Sequence, residues 1–239
     1  MHLSISKAKV MVTTVAAILV PMNAVQASTL TYESKVDLEK TNFEKQITLP
    51  KFDSSLGELE SVFFELSGNV EGSVSLENED ATAALVTGNL AAEISLKKPL
   101  PDDSLLLVAL PTASVNKELS AYDGDFDFDG ASGVKLTDIS NTKKESTLLT
   151  IPDDFTPFVG DGSFNLFLEA IGNSTATGAG NLSARFETYA GATVAVSYTY
   201  AKKDEPILRK KVPESGVPVT IFIGLAATMV LTKSKIRFV

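Results

Sequence analysis

Across residues 28–201 apolar and polar positions repeat with a period of two, as in strands that turn one face to a core. Thr193-Val-Ala-Val-Ser-Tyr-Thr-Tyr200 sets Val194, Val196, Tyr198 and Tyr200 on one face. Phe164-Asn-Leu-Phe-Leu-Glu-Ala170 does the same with Phe164, Leu166, Leu168 and Ala170. Val62-Phe-Phe64-Glu-Leu66 and Gly72-Ser-Val74-Ser-Leu76 repeat the pattern, with Gly68-Asn69 between them as the expected turn. Leu105–Leu110 is a continuous apolar run bounded by Pro101 and Pro111, which predicts a strand buried on both faces. Gly130, Gly133, Gly160, Gly162, Gly172, Gly178 and Gly180 punctuate the pattern where left-handed backbone is inexpensive. Short strands with turn signals about every 10–15 residues, and no convincing amphipathic helix, predict an all-β fold. The expected architecture is a single β-sandwich of antiparallel sheets, with no internal repeat.

Both ends of the chain break this pattern. Lys7 and Lys9 precede an apolar run, Val10–Val20, and the small-residue site Val25-Gln26-Ala27 follows. That order predicts a signal peptide over residues 1–27, cleaved after Ala27 by signal peptidase, and hence export. Pro21 and Asn23 end the run too early for an anchor helix. At the other end, residues 202–211 form a charged linker. Residues 212–239 begin with Val212-Pro213-Glu214-Ser215-Gly216 and continue into the apolar run Val219–Leu231, closed by Lys233, Lys235 and Arg237. Taken as Gly216–Leu231, this run only just reaches the roughly 17–25 residues that a spanning helix needs. The expectation is a short transmembrane helix with its basic tip on the cytoplasmic side and the sandwich outside.

The tripartite tail resembles the PEP-CTERM sorting signal of bacterial exosortase substrates, in which a Val-Pro-Glu-Pro motif precedes a short membrane helix and a basic end. Val212, Pro213 and Glu214 match, and Ser215 stands where that family has proline. The resemblance implies an exosortase-type enzyme as partner and processing at the motif. Without processing, the same segment is a plain membrane anchor. The body resembles the choice-of-anchor E domain, a family of exported bacterial domains with differing C-terminal anchors. The stretches that carry this are Leu49-Pro-Lys-Phe52 through Leu59, Asp125-Phe-Asp127-Phe128-Asp-Gly130 through Gly133, Phe158-Val-Gly160-Asp-Gly162, and Gly178-Ala-Gly180-Asn181 running on to Ala192–Tyr200. It implies a β-rich domain displayed outside the cell and brings no catalytic residue with it.

Charge and residue inventory narrow the chemistry. Setting aside Lys7, Lys9, Lys233, Lys235, Arg237 and Glu214 leaves 16 basic and 29 acidic residues, a balance of about −13 for the exported body. Such a body is repelled by phosphate backbones and anionic lipid, which argues against nucleic acid as a partner. The chain has no Cys, and its one His, His2, lies in the signal peptide. The mature body therefore offers no thiolate nucleophile, imidazole base or disulfide framework. Carboxylate-pair hydrolysis stays open in principle, but no Asp or Glu pair stands out. The expectation is a non-enzymatic protein without a resident cofactor.

Two binding readings remain. In Asp123-Gly-Asp125-Phe-Asp127-Phe-Asp129-Gly130, residues Asp125, Asp127, Asp129 and Gly130 fit the opening of a calcium loop. Its twelfth position is Leu136 rather than a bidentate Glu, so only a weak calcium site is expected. The competing expectation is a strand edge with Phe126 and Phe128 inward and the three Asp outward. The other reading is a surface polysaccharide. The chain has no Trp, and of its tyrosines only Tyr122 and Tyr189 fall outside core spacing as free aromatic platforms. The Asn173 and Asn181 sequons read as turn residues.

Overall fold

The computed structural model describes residues 27–203 of the chain. Residues 1–26 of the expected signal peptide, most of the expected linker, the Val212-Pro213-Glu214 motif and the expected C-terminal helix lie outside the described residues. Among the described residues no helix is long and apolar enough to cross a membrane.

The body is all-β. Its strands are β1 (Ala27–Lys40), β2 (Phe43–Pro50), β3 (Gly57–Asn78), β4 (Ala84–Lys97), β5 (Leu105–Ala109), β6 (Thr112–Leu119), β7 (Gly133–Leu149), β8 (Ser163–Gly172), β9 (Thr175–Thr177) and β10 (Leu182–Lys202). A single helical turn, α1 (Pro152–Phe155), runs into a 3-10 turn at Thr156–Phe158. One antiparallel sheet has the order β1-β10-β3-β7. In the other, β4 is central: β8 and β9 share one of its sides, β5 and β6 share the other, and β2 pairs with β8. The inner faces meet in one core. Val62, Phe64, Leu66, Val74 and Leu76 of β3 and Val194, Val196 and Tyr198 of β10 are fully buried there against Leu90, Ile94, Leu96, Leu166 and Leu168.

Two local expectations fail. Gly68-Asn69 is not a turn: the two predicted strands are one 22-residue strand, and β10 pairs with it continuously through Gly68↔Ala192 and Asn69↔Gly191. Gly68 is glycine for space, since a Cβ there would come within 2.9 Å of Ile94 Cδ1 in the facing sheet. Leu105–Leu110 is not buried on both faces. Leu107 and Ala109 point inward, whereas Leu105 and Leu110 are 58% and 57% exposed. The run lies on the outer side of β4, where only one face meets the core, so its apolar residues exceed what the fold can cover.

Below the β3–β10 pair the core is aromatic. Phe64, Phe158 and Phe164 pack edge to face with centroids 4.9–6.4 Å apart, a geometry that adds to simple area burial. The helical turn after α1 thus plugs the gap between the sheets with Phe158. Tyr198, fully buried, donates its hydroxyl to the Pro50 carbonyl at 2.8 Å. Burial pushes its phenol well above the usual range. Among the described residues every buried side-chain N or O has a hydrogen-bond partner, as a specific core requires.

Candidate functional site

The chain enters and leaves the sandwich at one pole: Ala27 at the start of β1 pairs with Ala201 near the end of β10. At the opposite pole three loops meet, those after β3, after β6 and before β10. Asn78 joins the first two by donating its amide to the carbonyls of Thr82 (2.9 Å) and Ser120 (2.7 Å). Asp80 draws in the third by accepting the Gly180 N–H at 2.8 Å. Tyr122 N–H donates to the Asp80 carbonyl at 2.9 Å. Asn181 lies in this group of loops and Asn173 in the bend between β8 and β9, both in irregular backbone.

The calcium candidates sit in the longest of these loops. Residues 121–132 form irregular backbone, not the expected strand edge. Phe126 is 54% exposed rather than inward, and it meets Phe128 edge to face with centroids 5.0 Å apart. The Arg185 guanidinium covers Phe128 at 5.2 Å, a cation–π contact across to β10. The loop departs from strand because its acidic side chains serve its own backbone. Asp123 accepts from the Asp125 N–H (3.1 Å), Asp127 from the Asp129 N–H (2.8 Å) and Asp129 from the Gly130 N–H (2.9 Å). The bond from Asp125 N–H holds the Asp123 carboxyl below its ordinary 3.8. Gly133 lets the turn close, because a Cβ there would overlap the Asp129 backbone.

Glu77 is the residue that the sequence reading missed. It is fully buried beneath the loop. Its two carboxylate oxygens accept from Phe128 N–H and Ser132 Oγ–H, each at 2.7 Å. Strand alternation alone sends Glu77 outward to solvent. Only the folding of residues 121–132 over that face buries it, and no local signal announces a loop fifty residues away.

Asp125, Asp127 and Asp129 are therefore neighbours in one curled loop, with Asp127 and Asp129 each spending an oxygen on backbone. Among the described residues no three His, Cys, Asp or Glu side chains converge to hold a metal ion. This geometry predicts that Asp127→Ala lowers stability by about 1 kcal/mol through the lost turn bond. Thermal melting of both proteins checks it. A calcium-induced rise in melting temperature, present in the parent and absent in the variant, would support the ion as a ligand.

The two free tyrosines stand apart. Tyr122 lies in the distal loop and Tyr189 on the outer face of β10, 37% and 39% exposed. Desolvation, followed by the charges of Glu79 and Glu77, raises the Tyr122 phenol above its usual value.

No known family matches the chain, and no curated protein is similar to it. Solved structures of infectious bursal disease virus align with it remotely. The Gx strain structure does so at 10% identity and a TM-score of 0.18, over 74% of this chain and 37% of the viral one. The VP2 subviral particle does so at 14% identity and a TM-score of 0.18, over 82% of this chain and 48% of the viral one. The chain thus spans less than half the length of these viral chains, and at such TM-scores the likeness carries no argument for either fold or function.

Proposed function

We propose that the protein is an exported, non-catalytic β-sandwich displayed outside a bacterial cell, sorted or anchored through its C-terminal segment. The observation that supports this most directly is that the sandwich is entered and left at adjacent strand ends, with Ala27 of β1 opposite Ala201 of β10, so a single pole serves for attachment and the opposite loops are left for contact. On this reading the partners are signal peptidase with the export machinery, an exosortase-type sorting enzyme, and the membrane.

Intact-mass measurement on protein from its native cell tests the proposal. The expected mature chain starts at Ser28 and, once sorted, ends near Glu214. A chain that starts at Ser28 but still ends at Val239 would mean a plain anchor, with Ser215 in place of proline as the reason. A chain that retains Met1–Ala27 would refute signal-peptide removal and with it the export route proposed here.

A further inference from the structure

A second feature of the outer face owes nothing to the distal loop. On the outside of the four-stranded sheet, Tyr189 lies directly opposite Glu71, and Glu187 directly opposite Ser73. Opposed residues of an antiparallel pair project to the same side, so these four side chains form one patch two residues deep. Irregularities on both sides turn the patch into a cleft. β1 loses register between Val36 and Glu39, which brings Leu38 beside Tyr189. β7 loses register between its partners to Gly72 and Val74, and the extra residues include Thr137 and Asp138, the latter at φ 56. The result is a depression of about 380 Å³ with Gly72 and Ser73 in its lining. Gly72 cannot carry a side chain, because a Cβ would overlap the Glu187 carbonyl oxygen.

Bulges concentrate beside functional sites because they re-aim side chains that regular strands would send elsewhere. A non-glycine residue held in left-handed backbone has the same association. Here both occur at the rim of one cleft of ligand size. Its chemistry is mixed in a particular way. Tyr189 and Leu38 give an apolar wall at one end; Glu71 and Glu187 offer acceptors and Lys135 offers donors, while the Thr137 hydroxyl donates to Asp138 at 3.0 Å within the rim. A bare cation would have no use for the donors, and an anion would be repelled by three carboxylates and by the acidic body. The ligand that uses every part is an uncharged pyranose, with a C–H face against the Tyr189 ring and hydroxyls that both donate and accept.

We propose that this cleft between β1 and the β7 bulge binds one or two units of a neutral polysaccharide, with Tyr189 as the stacking platform and Glu71 and Glu187 as the hydroxyl acceptors. This goes beyond display and does not depend on how the chain is anchored.

The test uses the full chain in a non-glycosidic detergent such as an amine oxide, titrated calorimetrically with cellohexaose, maltohexaose and chitohexaose. At least one should bind with a Kd in the millimolar range or tighter. Tyr189→Ala should weaken that binding by about tenfold or more, whereas Tyr189→Phe keeps the ring and should leave it nearly intact. Glu187→Gln and Glu71→Gln should each weaken it severalfold, and Tyr122→Ala at the far pole should change nothing. The Gln variants preserve shape, so they decide the matter if Tyr189→Ala fails to fold. No heat with any of the three sugars overturns the site. So does binding that survives in folded Tyr189→Ala and in both Gln variants, or that is lost in Tyr122→Ala instead. Any of these results would leave the display reading as it stands.

Discussion

Replacing Phe64 with alanine is expected to cost about 3–5 kcal/mol of folding stability. Phe64 is fully buried in the first half of the long strand β3. It touches the rings of both Phe158 and Phe164, at 4.9 and 6.4 Å between centroids. Those two rings come from different parts of the chain, one from the helical turn and one from β8. Removing Phe64 therefore opens a void that three rigid elements border, and none of them can collapse to fill it. Phe64→Leu keeps most of the volume and should cost distinctly less. Leu148, 56% exposed on β7, is the control, and its change to alanine should fall within about 0.5 kcal/mol of the parent. Urea unfolding of the three variants gives the ranking, and a Phe64→Ala protein as stable as the Leu148 control would contradict the packing described.

The second large effect belongs to Glu77. Glu77→Ala removes the acceptor for two donors at once, and hydrogen bonds to a charged group are each worth about 1.5–3 kcal/mol. The expected loss is about 2–3 kcal/mol, partly recovered because residues 121–132 can lift away and let water reach Phe128 N–H. Glu77→Gln should be much milder. The Gln amide oxygen can still accept from Phe128 N–H, and the Ser132 hydroxyl can turn round to accept from its NH2 group. Amide hydrogen exchange separates local from global damage. Fast exchange confined to residues 121–132, with β3 and β10 still protected, is the expected result for alanine. Uniform loss of protection in both variants would show that Glu77 holds the sheet and not the loop.

These residues also show how far the sequence could be read. Period-two alternation correctly identified the faces of β3, β8 and β10, because burial in a sandwich is decided one residue at a time by which way a side chain points. Tyr198 was legible for that reason. The turn at Gly68-Asn69 was misread because glycine has two uses: it permits tight turns, and it also makes room for a neighbour, here Ile94 of the opposite sheet. Nothing local distinguishes the two. The apolar run at Leu105–Leu110 misled for a related reason, since hydrophobicity states what a strand could bury and not what will cover it. At the distal pole the acidic spacing marks residues 123–130, but the carboxylates' bonds to their own backbone depend on how the loop curls. The outer cleft was the least visible. Tyr189 could be singled out as free, yet its companions come from β1, β3 and β7 through register shifts that no single segment encodes.

The position of β10 has a consequence for biogenesis. The C-terminal strand of the sandwich lies between β1 and β3, and β1, the first strand to be made, pairs with no other strand among the described residues. Until Leu182–Lys202 has been delivered, β1 must wait without a hydrogen-bonding partner. Contacts between the two ends of a chain close slowly, because the entropy of joining them is lost before any pairing compensates. An unfinished chain of this topology therefore stays open, with bare strand edges exposed to pairing with other chains. The domain can shut only after its last strand has arrived, whatever route the chain takes.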